Sequence, residues 1–470
     1  MRLMSCLLIV CVLLPWCVAQ RGTVHEASLV ASSNDEFGQI HRWRADLLET
    51  GAPDQYQDLY AMLDSKLGSI LSHVNSRWDG EIYNVNYAAE LISANGHRGE
   101  ELLKPECIEG VALMLDQLKS LRVKGVKVAV KYPLLMPDFP NSNGYLDFYR
   151  RVSQAVRDRK LVLYVATTTA FRDPAFTSLN VDYSGLTFKQ FKQDMRWYVE
   201  TVLGNLRPDY LTFTNEPQSQ VMNTGLDFSV KNVKELVEYV LDGLDHKGAL
   251  IGAGAGTWDK IEYFESLAEI SGLDYLDMHI YPINADFVID RTIRIAEIAK
   301  AHNKKLVLGE AWLYKVRDRE LGAATATSAQ LFARDVFSFW APLDEKFLEA
   351  IVKLSHLLRI DFCSFFWMQY FYSYLQYDEE KNAMKPAQLF ALVNGQAAKN
   401  ILSNKLSSTG IKYKSLIASL SYEPSSFKKE TTETMAKLDP RRHPLISALA
   451  IAAISAVVIG AVIYSLRRRR

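Results

Sequence analysis

The chain carries no excess of either charge. Fifty-four Lys plus Arg balance fifty-four Asp plus Glu among its 470 residues, so no global field recruits nucleic acid or an anionic surface. Cysteine is scarce: of five, Cys6, Cys11 and Cys17 lie in the first twenty residues, which leaves Cys107 and Cys363. Cys363 sits in a strand-like run and Cys107 opens a helical pattern, so two buried thiols are expected rather than a bridge. No Asn-x-Ser/Thr sequon occurs anywhere, which favours a bacterial source over a eukaryotic secretory one. Gly252-Ala253-Gly254-Ala255-Gly256 lacks the Lys-Ser/Thr of a phosphate loop, and neither a His-Glu-x-x-His zinc site nor a Gly-x-Ser-x-Gly elbow is present. No cofactor and no metal is implied.

What is present suits a globular protein large enough for a full core: 49% hydrophobic, 11% aromatic and 23% charged residues. Both ends read as membrane chemistry. Residues 1–20 begin with Arg2, run apolar from Leu7 to Leu14 and end at Val18-Ala19-Gln20, the pattern of a secretory signal peptide. The alternative, lipidation at Cys17, fits Trp16 and Val18 poorly. Leu445 to Leu466 runs 22 residues without a charge, enough to cross a hydrocarbon core of about 30 Å at about 1.5 Å per residue. Arg467 to Arg470 then form a cytoplasmic stop-transfer cluster. A bacterial sorting tail that is later cut is the second reading, although no LPxTG sequence precedes it. The expected location is the cell membrane, single-pass, with the main domain extracytoplasmic.

Between the ends, strand-like and helix-like patterns alternate. Strand candidates are 82–87, 127–131, 161–167, 210–214, 249–253, 275–279, 306–309 and 361–367. Amphipathic stripes fall between them, such as Phe188, Phe191, Met195, Tyr198 and Val202, or Val233, Leu236, Val237, Val240 and Leu244. Eight such units predict an α/β fold, the (β/α)8 TIM barrel, over residues 81–405, with its active site at the C-terminal ends of the strands. Residues 21–80 hold a predicted helix over 55–74, taken as an N-terminal helical extension capping the barrel. Residues 406–440 read as an irregular stalk before the transmembrane helix.

Two of these apolar runs stop at a glutamate. Leu211-Thr212-Phe213-Thr214-Asn215-Glu216-Pro217 is the fourth, and Leu306-Val307-Leu308-Gly309-Glu310-Ala311-Trp312 the seventh. With Asp277-Met278-His279-Ile280-Tyr281-Pro282 at the sixth and Phe365-Phe366-Trp367 at the eighth, the sequence resembles the clan of retaining glycoside hydrolases built on the (β/α)8 barrel, which includes cellulases, mannanases and galactanases. The resemblance implies that Glu216 is the acid/base and Glu310 the nucleophile, that the Tyr281 hydroxyl donates to the nucleophile, and that Trp367 forms a platform beneath the reacting sugar.

The residue chemistry is consistent with that implication. Retention needs two carboxyls about 5 to 5.5 Å apart, with the acid's pKa raised by burial and by its neighbour's charge. Asn215 is placed to bond the sugar 2-hydroxyl, with a turn-stabilising role as the alternative. His279 and Tyr281 share a face by the strand's period of two, although a core histidine is the bland reading of His279. Trp312, Trp258 and Tyr132 are further candidates for stacking on pyranose rings. Where clan members carry an Arg near the end of the second strand, this chain offers Lys131, a point charge without a bidentate fork; Asn84 or Asn86 is the alternative for that role. The expectation is a retaining glycosidase acting on β-linked poly- or oligosaccharides. A non-catalytic glycan-binding surface protein and a transglycosylase using the same glutamates are the alternatives. Oligomeric state leaves no trace.

Overall fold

The structure, a computed structural model, describes residues 51–421 apart from 175, 285 and 321–327. Eight strands close into a barrel in sequence order: β1 Asn86–Glu90, β2 Gly125–Ala129, β3 Val162–Ala166, β4 Tyr210–Thr212, β5 Leu250–Gly256, β6 Tyr275–Ile280, β7 Lys305–Ala311 and β8 Phe362–Phe365. Every neighbouring pair is parallel, including β8 with β1. Such strands are buried on both faces, which is why they read as near-continuous apolar runs.

The intervening helices bury the stripes expected of them. The helix Phe188–Leu206 turns Phe191, Met195, Tyr198, Val202 and Leu206 inward, and the Thr187 hydroxyl oxygen caps it by accepting from the Gln190 amide at 3.1 Å. The barrel itself is filled by large rings against small residues: Tyr164, Tyr210, Tyr275 and Phe362 meet Ala88, Ala166 and Val307. Gly252 makes that packing feasible, because a Cβ there would lie 2.0 Å from the Tyr275 ring.

Two flanking regions differ from expectation or extend it. The N-terminal helix Asp54–Arg77 buries Leu59, Leu63, Leu67, Ile70 and Val74. It runs alongside the helix Ala341–Leu357, where Lys346 pairs with Asp64 and Lys353 donates to Asn75. It is therefore a flanking strut. The stretch read as the start of a stalk at 406 contains a packed helix, Ser408–Ser419. Tyr413 of that helix stacks on Phe371 at 4.8 Å and donates to the Ala88 carbonyl at 3.0 Å, so the barrel unit extends past 405. Cys107 and Cys363 are buried and unbridged. The signal segment 1–20, the rest of the stalk, the span 445–466 and the arginines 467–470 lie outside the described residues. Among the described residues no helix is long and apolar enough to cross a membrane.

Candidate active site

Each glutamate is aimed by a local departure from regular structure. Glu216 lies beyond β4 with φ 44° and ψ 68°, in the left-handed region, at the N-terminus of the helix Pro217–Thr224. That conformation costs a non-glycine residue about 1–2 kcal/mol and persists where the surroundings over-determine it. Here Gln220 supplies the constraint, donating to Thr214 Oγ1 at 2.7 Å and to the Asn215 carbonyl at 2.9 Å. Glu310 owes its direction to a bulge. The β6–β7 register runs Met278 to Leu308 and then His279 to Glu310, skipping Gly309. Val307 and Gly309 face the barrel interior, so strict alternation would turn Glu310 out toward the helices; the extra residue re-aims it at the mouth. Gly309 has to be glycine: a Cβ would sit 2.4 Å from Asp277 Oδ1, which accepts the Gly309 amide at 2.9 Å.

The two carboxylates meet across His279. Its Nδ1 lies 2.7 Å from Glu216 Oε1 and 3.7 Å from Glu310 Oε2. One ligating atom from each of these three residues lies within 4.8 Å of the others. Glu216 Oε2 accepts from the Ser219 hydroxyl at 2.8 Å. Glu310 Oε2 accepts from the Tyr281 hydroxyl at 2.7 Å, while its Oε1 pairs with the Lys127 ammonium. Lys127 Nζ also lies 3.9 Å from Glu90 Oε2. Asn215 Nδ2 approaches His279 Nε2 at 3.3 Å.

Burial and charge set these groups apart. Burial pushes the Glu310 carboxyl up, but Lys127, His279 and Lys131 more than reverse this and hold it at about 2. Glu90 rises to about 7, because burial and the Glu310 charge outweigh Lys127. Burial disfavours the charged form of His279, yet Glu310, Asp277 and Glu216 raise it to about 10. A metal-ligating imidazole has to be neutral, and both Glu310 oxygens are already engaged. The Glu216, His279 and Glu310 cluster therefore suits ion pairing better than a metal.

Of the residues singled out in the sequence, Glu216, Glu310, Asn215, His279 and Tyr281 converge here. All but the buried His279 line a cavity of about 1030 Å³ at the C-terminal mouth, together with Trp367, Lys131 and Trp258. Trp367 has one face against Phe390, with ring centroids 6.2 Å apart. Trp312 does not reach the cavity. It is 1% exposed, stacked on Tyr370 at 5.7 Å with Lys315 Nζ over its ring, because the β7 bulge gives the mouth to Glu310 and sends the next side chains into the core. Tyr132 is likewise a core ring, between Tyr183, Phe191 and Tyr198.

The supporting cation lies two strand periods before the expected Lys131. Lys131 donates to Thr168 Oγ1 at 2.8 Å and lies over the Phe171 ring, and the ammonium on Glu310 belongs to Lys127. Asn84 and Asn86 do not fill the role either: they bond Lys124 and the Asp361 carbonyl near the start of β1. Lys127 is flanked by Val126 and Val128, and its signal was the charge itself, a lysine inside an otherwise apolar strand.

No protein-family model matches the chain, and no curated protein matches it. Among solved structures it is similar to an exo-β-1,4-mannosidase from Opitutaceae bacterium strain TAV5, with a TM-score of 0.42 and 14% identity over 69% of this chain and 62% of that one. A family 5 glycoside hydrolase mannosidase from Rhizomucor miehei gives a TM-score of 0.41 and 14% identity over 72% of this chain and 96% of that one. A virulence factor from Agrobacterium tumefaciens gives 0.42 and 9% identity over 70% and 99%. Likenesses this distant carry no weight for function. By its own strand order, the chain is a closed (β/α)8 barrel with two glutamates facing one another at its C-terminal mouth.

Proposed function

We propose that the barrel is a retaining glycoside hydrolase of β-linked sugars. The observation that carries this reading is the carboxylate spacing. One oxygen of Glu216 and one of Glu310 lie within 4.8 Å of each other, which suits the roughly 5–5.5 Å carboxyl spacing of double displacement better than the roughly 6.5–9.5 Å of inversion.

In this mechanism Glu310 attacks the anomeric carbon as a carboxylate. Its pKa of about 2 keeps it ionised at neutral pH. The C–O bond to the leaving group breaks as the ester forms, and the leaving oxygen takes a proton from Glu216. The His279–Glu216 pair, at 2.7 Å, carries that proton between them, so a charged imidazole can pass it to the carboxylate as the substrate draws it off. Glu216 then removes a proton from water, whose oxygen attacks the same carbon and returns the Glu310 carboxylate. Tyr281 and Lys127 hold the nucleophile, and Asn215 and Trp367 are assigned to sugar binding.

The first-formed anomer tests the mechanism. Proton NMR of a β-glycoside digest should show β product before mutarotation, and an α product at first appearance would rule out double displacement. Glu310→Gln should abolish turnover while sparing binding. We also propose that the barrel is held outside the cell membrane by 445–466, a reading from sequence alone. Recovery of the full-length chain in a salt-washed soluble fraction would count against it.

A further inference from the structure

The cavity is open at one side and blind at the other. In a closed order of eight strands, β3 and β7 are diametrically opposite. Yet Phe176, in the loop after β3, meets Phe332, in the segment after β7, edge to face at 5.9 Å. Phe176 also lies 6.4 Å from Phe390, on the helix Pro386–Leu402 that follows β8. Phe332 in turn packs on Trp367 at 5.5 Å. Chain from opposite sides of the barrel thus joins above the mouth in a continuous aromatic bridge.

The bridge is sealed along the β1 side. Phe171 stacks on His97 at 4.4 Å, and the Thr177 and Ser178 hydroxyls both donate to the His97 carbonyl at 3.2 Å. Behind the bridge the lining is buried or partly buried, and several of its polar atoms have no hydrogen-bond partner: Glu90 Oε2, Gln369 Oε1, Asn394 Oδ1 and Trp367 Nε1. On the other side, the exposed residues of the lining, among the described residues, are Arg172, Asp173, Gln218 and Met222. All four belong to the segments after β3 and β4, and Gln218 and Met222 ride on the short helix Pro217–Thr224 that follows Glu216. The opening is therefore beside the acid.

We infer that the enzyme acts from the chain end, holding a terminal glycone in the blind pocket behind the Phe176–Phe332–Phe390 bridge and letting the aglycone leave past Glu216. This rests on the hydrolase reading above. Glu216 has to touch the leaving oxygen, so the aglycone lies toward Glu216 and the open rim, and the sugar that forms the ester points into the closed end. That sugar carries the anomeric carbon, so the end consumed is the non-reducing one. The polar atoms of the closed end would take its hydroxyls, and the rings its C–H faces. The middle of a polymer cannot enter, because its glycone side would have to continue through the bridge.

The test uses the full chain with p-nitrophenyl β-glucoside, β-mannoside and β-galactoside, and with soluble β-glucan, galactomannan and galactan. Expected is one small sugar product from the earliest time, with polymer viscosity unchanged as reducing ends accumulate. An early viscosity drop with a ladder of oligosaccharides overturns end-on action while leaving hydrolysis standing. No cleavage of any glycoside or polymer overturns the hydrolase reading and this inference with it. In the double variant Phe176→Ala, Phe332→Ala, the ratio of viscosity loss to reducing ends should rise several-fold. If that variant is folded by circular dichroism and still cuts only ends, the bridge is not what blocks the polymer. If it does not fold, the native product profile decides alone.

Discussion

Replacing Lys127 with Met removes the ammonium shared by Glu310 and Glu90 while keeping the length of the side chain. Glu310 is held at about 2 against an ordinary 4.5. At about 1.4 kcal/mol per pH unit, that is on the order of 3 kcal/mol favouring its ionised form in the fold. Lys127 is the largest of the three cations that produce it, and burial, which acts the other way, stays when the lysine goes. The nucleophile has to be ionised, so activity falls as pH drops through its pKa. In the native protein this acid limb lies well below pH 4; in Lys127→Met it should move up by about two pH units.

Stability should follow with the opposite pH trend in the two proteins. In the native protein the contribution of Glu310 is complete above 4.5 and is lost as pH falls from there toward about 2. In the variant the carboxyls are raised, so protonation favours its fold. Removing one partner of a buried pair costs about 3–5 kcal/mol, and Glu90, already up at about 7, relieves part of this by taking a proton. The assay is kcat/KM against pH on a dinitrophenyl glycoside, whose leaving group needs no proton, beside urea unfolding at neutral and mildly acidic pH. The gap in stability should narrow at the lower pH. An acid limb that stays in place, with an equal stability loss at both pH values, would refute the shared-lysine account.

Two further outcomes follow from the same geometry. His279 stands at about 10 against 6.5, so it contributes on the order of 4–5 kcal/mol that is complete below 6.5 and lost as pH rises through about 10. Thermal midpoints should therefore fall over that alkaline range, and His279→Gln should flatten the fall; an unchanged slope would count against a charged His279. Trp367→Ala should raise KM on small glycosides with a smaller loss of stability than Trp312→Ala, which should cost about 3–5 kcal/mol with KM retained. Urea melts beside steady-state kinetics separate the two, and a KM effect from Trp312 would return it to the site.

Most of the barrel was legible in the sequence, because parallel strands buried on both faces leave unbroken apolar runs and a helix leaves a stripe. All eight strands lie at or overlapping the expected segments, with shifts at their ends; β1 runs Asn86–Glu90 where 82–87 was expected. At the seventh strand, period-two reasoning fails because the strand is irregular. A bulge at Gly309 hands the mouth to Glu310 and buries Trp312, and nothing in Leu308-Gly309-Glu310-Ala311-Trp312 marks which residue is extra. Lys127 is not set apart by position, because Lys131 lies two periods further along the same face and nearer the catalytic end of the strand. The helix Ser408–Ser419 is weakly amphipathic, and its docking on Phe365, Phe371 and the helix Ala341–Leu357 makes it part of the fold. The bridge between the β3 and β7 segments is a contact between residues 156 positions apart (332 minus 176), which no local pattern encodes.

The placement of Glu90 has a consequence for the reaction cycle. Four carboxyls, Glu90, Glu216, Asp277 and Glu310, surround three cations, Lys127, Lys131 and His279. One proton must be held among the carboxyls for the cluster to be neutral, and Glu90, driven to about 7 by burial and by Glu310, is placed to hold part of it. When Glu310 becomes an ester its charge vanishes. Burial still raises Glu90, but the Glu310 charge that added to it is gone, while Lys127 is left with Glu90 as its remaining carboxylate at 3.9 Å. Glu90 should then release its proton, keeping the ammonium paired throughout the covalent stage. Trapping the ester with a 2-deoxy-2-fluoro dinitrophenyl glycoside at pH 7, in weak buffer with an indicator, should therefore release about half a proton per site. Glu90→Gln should trap without that release. Equal release from both proteins would place the proton elsewhere, and no release from the native chain would mean that Lys127 does not couple the two glutamates.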